Sequence, residues 1–276
     1  MKGYYRKAYK GGVQAVVFDW AGTTVDYGCC APAGVFREVF RRRDVEITDE
    51  EARGPMGLHK RDHIREITQM PAVAERWAAA HGSRPSEADV ESMFEEFVPQ
   101  QLEIIANYAD LIPEILGAQE VLRRRDLKIG STTGYNREMM DILTAEAAKR
   151  GYKPDSVAVA SEVPAGRPAP WMIYQNLQDL GVYPVESCVK VGDTPADVAE
   201  GLNAGMWSVA VVLSSNEMGL NQEELAACAP GERAARHERA TQRLAHAGAH
   251  YLIETLDELE GAIDQVEFRL RRGEKP

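Results

Sequence analysis

Cysteine is scarce in this sequence. Its 276 residues include four, Cys29, Cys30, Cys188 and Cys228, with no Cys-x-x-Cys pair and too few to staple a chain of this length, so a reducing cytoplasm is expected. Basic residues are outnumbered, 32 Lys and Arg against 43 Asp and Glu, and the net charge of −11 leaves no field for a nucleic-acid backbone. A small phosphorylated substrate in a locally positive pocket is still compatible with that charge. No apolar run approaches the roughly 20 residues of a spanning helix, so no membrane partner is expected. Met1 to Gly12 is basic and aromatic without an apolar segment behind it, so export is not expected either. Internal repeats and low-complexity tracts are also missing.

The length suits one core domain with an inserted module. Short β-rich runs alternate with helical patterns: Val13 to Phe18, then Leu127 to Ser131, Ser156 to Ala160, Cys188 to Val191 and Trp207 to Val212, with His250 to Ile253 as a last candidate. This order predicts an α/β fold with a Rossmann-like parallel sheet core. Residues 29–107 break the alternation with helical patterns alone. Thr48 with Glu51 and Ser86 with Asp89 mark two helix starts, and Gly54-Pro55 predicts a loop reaching through Lys60 that faces the core. The expected division is therefore a core of residues 1–28 and 108–276 with an α-helical insertion over 29–107.

Four strand ends carry candidate chemistry. Asp19 follows the apolar run Val16-Val17-Phe18 and precedes Gly22, Thr23 and Thr24; a carboxylate there suits nucleophilic attack on phosphorus, with backbone N–H groups holding the transferred oxygens. Ile129 to Gly134 ends a strand in hydroxyls and a glycine before a helix opens near Asn136, and Thr133 and Gly134 can bind phosphate oxygens at that helix start. Arg167, in the proline-rich loop Val163 to Pro170, can neutralise both a phosphoryl group and the nucleophile. Asp193 and Asp197 follow another strand and, with Asp19, make a hard oxygen site suited to Mg²⁺. Each motif alone also reads as an ordinary cap, loop or solvated side chain. All four on one parallel sheet would open onto a single crevice.

In this order the motifs resemble those of the haloacid dehalogenase superfamily, whose phosphotransferases form an aspartyl-phosphate with Mg²⁺, and the insertion stands where that superfamily places a helical cap. One position departs from it. Ala21 occupies the site where such chains usually carry an acid for the leaving alcohol. If the leaving atom is carbon, an imine on a neighbouring carbonyl can take up the electrons as an enamine, which calls for a lysine.

Lys60 lies in Pro55-Met56-Gly57-Leu58-His59-Lys60, which on its own reads as part of a solvated charged run. Together with Phe18 to Gly28, Gly130 to Tyr135, Val163 to Pro168 and Lys190 to Thr194, it is similar to the phosphonoacetaldehyde hydrolase (phosphonatase) family nearly end to end. The resemblance implies Mg²⁺-dependent cleavage of phosphonoacetaldehyde to acetaldehyde and phosphate, in 2-aminoethylphosphonate breakdown. It implies a Schiff base on Lys60, attack by Asp19, and Mg²⁺ held by Asp19, the Ala21 carbonyl and Asp193, with Asp197 in support. A homodimer is also implied, with cap helices that include apolar stretches such as Trp77 to Ala80 as the candidate contact, although such a stripe is more often intramolecular core. Attack on a carbonyl requires neutral Lys60, and from a reference pKa of about 10.4 only roughly one lysine in a few thousand is neutral at pH 7 without burial or a nearby cation. His63 would share the Lys60 face if this turn is helical and could relay the proton. Cys29, Met56 and Tyr135 are further pocket candidates, although the first two equally suit core packing and Tyr135 a structural hydrogen bond. A zinc site on His59 and His63 lacks a third ligand. The rival readings are a phosphatase or mutase acting on a phosphate ester, and a silent binding protein of the same fold.

Overall fold

Four buried residues in a row, Ala-Val-Val-Phe, form β1 (Ala15–Phe18), the unbroken apolar pattern of a strand covered on both faces. The computed structural model describes residues 8–276; Met1 to Lys7, the beginning of the basic aromatic tail, lie outside them. Five more strands follow: β2 (Lys128–Thr133), β3 (Ser156–Val159), β4 (Cys188–Gly192), β5 (Trp207–Val211) and β6 (Tyr251–Ile253). Among the described residues they make one parallel sheet of order β3-β2-β1-β4-β5-β6. The order reverses at β1, so the crevice beyond the carboxyl ends of β1, β2 and β4 is where an α/β sheet takes its ligand.

Between β1 and β2 the chain is helical: α1 (Cys30–Arg41), α2 (Asp49–Arg53), α3 (Lys60–Gln69), α4 (Pro71–His81) and α5 (Glu87–Ile104), then a 3-10 turn at Ile105–Tyr108. The core resumes with α6 (Ile115–Arg124), and the later crossovers supply α7 (Arg137–Lys149), α8 (Trp171–Leu180), α9 (Pro195–Ala204), α10 (Gln222–Ala227), α11 (Pro230–His246) and α12 (Leu259–Arg271). Period-two alternation splits the sheet. Val16 and Phe18 join Val189, Val191, Val209 and Val211 in a cluster with α6, α7 and α12, while Ala15 and Val17 meet Ile173 and Leu177 of α8 on the other face.

Both expected capping boxes form, Thr48 with Glu51 at α2 and Ser86 with Asp89 at α5. The helical segment is built around Phe36, whose ring stacks at 3.8 Å on His63 and at 4.5 Å on Phe97. Its apolar interior runs without a break into the sheet cluster. Trp77 is taken up inside this segment against Phe40 and His81, so the Trp77 to Ala80 stretch offers no large exposed ring for a partner.

Two boundaries differ from the sequence expectation. Lys60 opens α3 instead of ending a loop, because His63, Ile64 and Ile67 form one buried stripe and the chain turns helical immediately after the extended His59. Strand β2 runs on through Thr132 and Thr133, β-branched residues that pair with Ala158 and Val159 of β3. The loop before Lys60 is thus Gly54 to His59, and it does reach the core.

Ser86→Ala removes the oxygen that accepts from the Asp89 N–H. The expected loss is about 1 kcal/mol of unfolding free energy in urea titration, with the circular-dichroism spectrum otherwise unchanged.

Candidate active site

Asp19 stands one residue beyond β1, where its N–H donates to the Val191 carbonyl at 2.9 Å. Phe18 pairs with Ser131 on one side and Val191 on the other, so Asp19 is flanked by the ends of β2 and β4. The side chain is buried, and Arg167 Nη2 donates to Oδ1 at 2.5 Å. Burial raises the Asp19 pKa; Arg167 opposes that rise and Asp197 adds to it.

Arg167 is held on every edge. Nε donates to Glu200 at 3.0 Å, Nη2 donates to the Thr132 carbonyl at 2.8 Å, Nη1 donates to the Gly57 carbonyl at 3.3 Å and lies 3.1 Å from Asp197 Oδ1. A second buried cation, Lys190, lies 2.8 Å from the same Asp197 oxygen and 3.5 Å from Glu200, and Nζ donates to Thr132 Oγ1 at 3.1 Å. Burial pushes the Asp197 pKa up, but Arg167 and Lys190 outweigh it and hold the carboxyl below its ordinary value. Thr194 Oγ1 donates to the other Asp197 oxygen at 2.6 Å.

Asp193 sits differently. Thr23 Oγ1 donates to Oδ1 at 3.0 Å and the Asn216 N–H donates to Oδ2 at 2.8 Å, but among the described residues no basic side chain pairs with it. Burial, then the charges of Asp19 and Asp197, push its pKa well above the carboxylate range. Asp19, Asp193 and Asp197 each bring an oxygen within 4.8 Å of the others. This hard oxygen set, in which the Asp193 carboxyl has no basic partner among the described residues and would be ionised by a bound cation, fits a divalent ion of the Mg²⁺ type. Asp197, committed to two cations and Thr194, is less free to bind it directly than Asp19 or Asp193.

A small cavity, about 10 Å³, is lined by Asp19, Ala21, Cys29, Met56, Gly57, Lys60, Thr133, Gly134, Tyr135, Arg167 and Thr194. Lys60 thus faces the same space as the core groups. Its Nζ lies 4.7 Å from the Tyr135 ring centroid and 5.8 Å from that of Phe36. Burial lowers the Lys60 pKa, Arg167 lowers it further, and Cys29, Asp19 and Asp26 pull the other way. Thr133 Oγ1 accepts from the Tyr135 N–H at 3.1 Å, which leaves its hydroxyl proton free to donate. The roof fits closely: a Cβ on Gly134 would lie 2.3 Å from the Leu58 carbonyl oxygen, and one on Gly57, whose φ is +92°, would lie 2.5 Å from Thr194 Oγ1.

His63 does not line this cavity. It is buried behind Phe36, and its Nε2 hydrogen bonds to the Ala52 carbonyl at 2.8 Å, which makes Nε2 the protonated nitrogen and leaves Nδ1 a bare, unpartnered acceptor. Burial and the Lys60 charge hold its pKa well below the usual histidine value. The same hydrogen bond disposes of a zinc site through Nε2.

A family model of haloacid dehalogenase-like hydrolases matches residues 13–205. Phosphonoacetaldehyde hydrolases of Bacillus thuringiensis subsp. konkukian and Bacillus anthracis are each 51% identical over 255 residues, covering 92% of this chain and 97% of the relative. The chain belongs to the phosphonoacetaldehyde hydrolase family, within the haloacid dehalogenase-like hydrolases. A crystal structure of a phosphonoacetaldehyde hydrolase-like protein from Oleispira antarctica superposes with a TM-score of 0.95 at 39% identity over 100% of both chains. A β-phosphoglucomutase from Clostridium difficile, at 16% identity and TM-score 0.64, shares the fold.

Several site groups of this family member have no role in the motif pattern. Glu200 lies on a helix outside the motifs, and Lys190 opens the stretch Lys190 to Thr194 without a role of its own. Burial against Arg167 and Asp197 brings both into the site. Asp26 accepts from the N–H groups of Cys30 and Ala31 at 3.0 Å each, a cap offset from the usual spacing. Burial pushes its carboxyl up to about 6, so it is charged at neutral pH and raises the Lys60 pKa. Asp26→Asn removes that charge, and the pH midpoint for acylation of Lys60 by dilute acetic anhydride, followed by peptide mass, is expected to move downward. An unchanged or higher midpoint would contradict this electrostatic assignment.

Proposed function

We propose that this chain hydrolyses the carbon-phosphorus bond of phosphonoacetaldehyde, giving acetaldehyde and phosphate, through an imine on Lys60 and a phosphorylated Asp19. One observation carries the reading: a buried lysine of depressed pKa shares a small cavity with Asp19, Thr133 and Arg167, and the lining residue at position 21 is an alanine, not an acid. An enzyme for phosphate esters needs an acid for its leaving alkoxide, and the methyl of Ala21 supplies none.

In this reading neutral Lys60 attacks the aldehyde carbon and water leaves, forming a protonated imine. Asp19 attacks phosphorus in line, the carbon-phosphorus electrons enter the imine, and an enamine remains on Lys60. Arg167 and Thr133 steady the phosphoryl oxygens, with the Gly134 N–H near the α7 amino terminus adding a donor. The enamine gains a proton at carbon and returns to an imine; water then releases acetaldehyde from Lys60 and phosphate from Asp19. Asp19, Asp193 and the Ala21 carbonyl would hold Mg²⁺, with Asp197 in support, and the bound ion supplies charge neutralisation at the transferred phosphoryl group. Cys29, Met56 and Tyr135 wall off the Lys60 end from water. His63, through its bare Nδ1, is a candidate for moving a proton only if a water connects it to the cavity.

We assign residues 1–28 and 108–276 to the core and 29–107 to the cap that carries Lys60. The two linkers that meet where Val25 bridges Leu111 support that division. We extend the reading, on family resemblance, to a cytoplasmic homodimer acting in 2-aminoethylphosphonate breakdown.

Borohydride added with phosphonoacetaldehyde is expected to reduce an adduct onto Lys60, seen as a mass increase on its peptide; turnover without adduct would end the imine mechanism. Lys60→Arg keeps the charge but cannot form the imine, and should lower phosphate release by at least about 1,000-fold. Phosphate release from phosphonoacetaldehyde should also require Mg²⁺ and greatly exceed release from a small phosphate ester assayed beside it.

A further inference from the structure

Arg53, at the end of α2, lies outside the cavity and bonds to three parts of the chain at once. Its Nη1 donates to the Gly28 carbonyl at 2.7 Å, to the Cys29 carbonyl at 3.3 Å and to Asn216 Oδ1 at 3.2 Å, while Nε donates to Asp49 at 2.8 Å. Asn216 answers, its Nδ2 donating to the Arg53 carbonyl at 3.2 Å. That carbonyl also accepts from the Met56 N–H at 3.0 Å, the first bond of the loop that leads to Lys60.

Each partner leads to the reacting groups. Gly28 and Cys29 belong to the linker from β1 into α1, where Asp26, Gly28 and Cys29 all have positive φ, at 53°, 81° and 51°. Two of those are not glycine, so the linker sits in a sparsely populated conformation that its surroundings must hold. Asn216 is buried, and its own N–H fixes Asp193 Oδ2 at 2.8 Å. Its neighbour Ser214 binds both ends of the same region: the Gly28 N–H donates to the Ser214 carbonyl at 2.9 Å and Ser214 Oγ donates to the Gly22 carbonyl at 2.7 Å.

We infer that Arg53 is a positioning residue, a clasp with Asn216 that makes the setting of Asp193 and the seating of the Lys60 loop one linked equilibrium. The proposal rests on the reading above, in which Asp193 holds Mg²⁺ and Lys60 carries the imine. Fixing Asp193 for the cation then fixes Asn216, hence Arg53, the linker carbonyls and the start of the loop to Lys60. By reciprocity the seated loop tightens the cation site by the same factor.

The test measures Mg²⁺ binding to the full chain by calorimetry without substrate, and hydrogen exchange of residues 55–60 with and without Mg²⁺. Wild type should bind Mg²⁺ and gain protection over 55–60 when it does. Arg53→Ala should weaken Mg²⁺ by about five-fold or more and abolish the Mg²⁺-dependent gain. Asn216→Ala, which spares the backbone N–H on Asp193 and is the milder change for folding, should do the same. The double variant should be no worse than the weaker single one, since both break one contact set. A merely structural role would lower the melting temperature and leave the Mg²⁺ affinity within about two-fold; that result, or additive losses, overturns the clasp alone. Wild type that binds no Mg²⁺ overturns the metal reading beneath it and the clasp with it.

Discussion

The guanidinium of Arg167 is the interaction on which the site depends. It is 4% exposed and within reach of the carboxylates of Asp19, Asp197 and Glu200 together with the carbonyls of Thr132 and Gly57. A buried cation with so many partners is strongly destabilising to orphan, because each carboxylate left behind would carry its own desolvation cost. Its partners come from β1, β2, α9 and the loop before α3, so the ends of the sheet and the roof of the cavity are set by one group. Lys190 completes the balance by taking the share of Asp197 and Glu200 that Arg167 leaves.

This arrangement divides the acidic groups by environment. Asp197 is held ionised by two cations, whereas Asp193 has hydroxyl and N–H partners but, among the described residues, no basic one, so its ionised form is left for a cation from solution to stabilise. Lys60 is surrounded differently. The rings of Tyr135 and Phe36 lie beside its amine, and its burial disfavours the ammonium by more than the charges of Asp19 and Asp26 favour it. In the proposed reaction, the missing acid and the depressed lysine are two sides of one design.

Legibility in the sequence followed the range of the interaction. Strand runs, both capping boxes and the four strand-end motifs are local patterns, and each appears within a residue or two of where the sequence puts it. The start of α3 was harder to read, since the charged run Lys60 to Arg65 hides a buried stripe that only packing against Phe36 and α5 makes plain. Trp77 suits either a partner contact or internal core in the sequence, and it is core in the structure, with Phe40 covering it from α1. Asn216 and Arg53 are polar residues in ordinary sequence contexts, and their contacts span 163 residues.

The sequence by itself determined the parallel sheet, the helical insertion, the carboxylate of Asp19 at a strand end and the absence of an acid at Ala21, because these rest on hydrophobic period and residue chemistry. Only the tertiary structure decided that Lys60 is buried in the cavity of Asp19, that His63 lies behind Phe36 with Nδ1 bare, and that Lys190 and Glu200 complete the charge cluster. Burial and long-range electrostatics set those properties, and neither exists until distant segments of the chain have packed together.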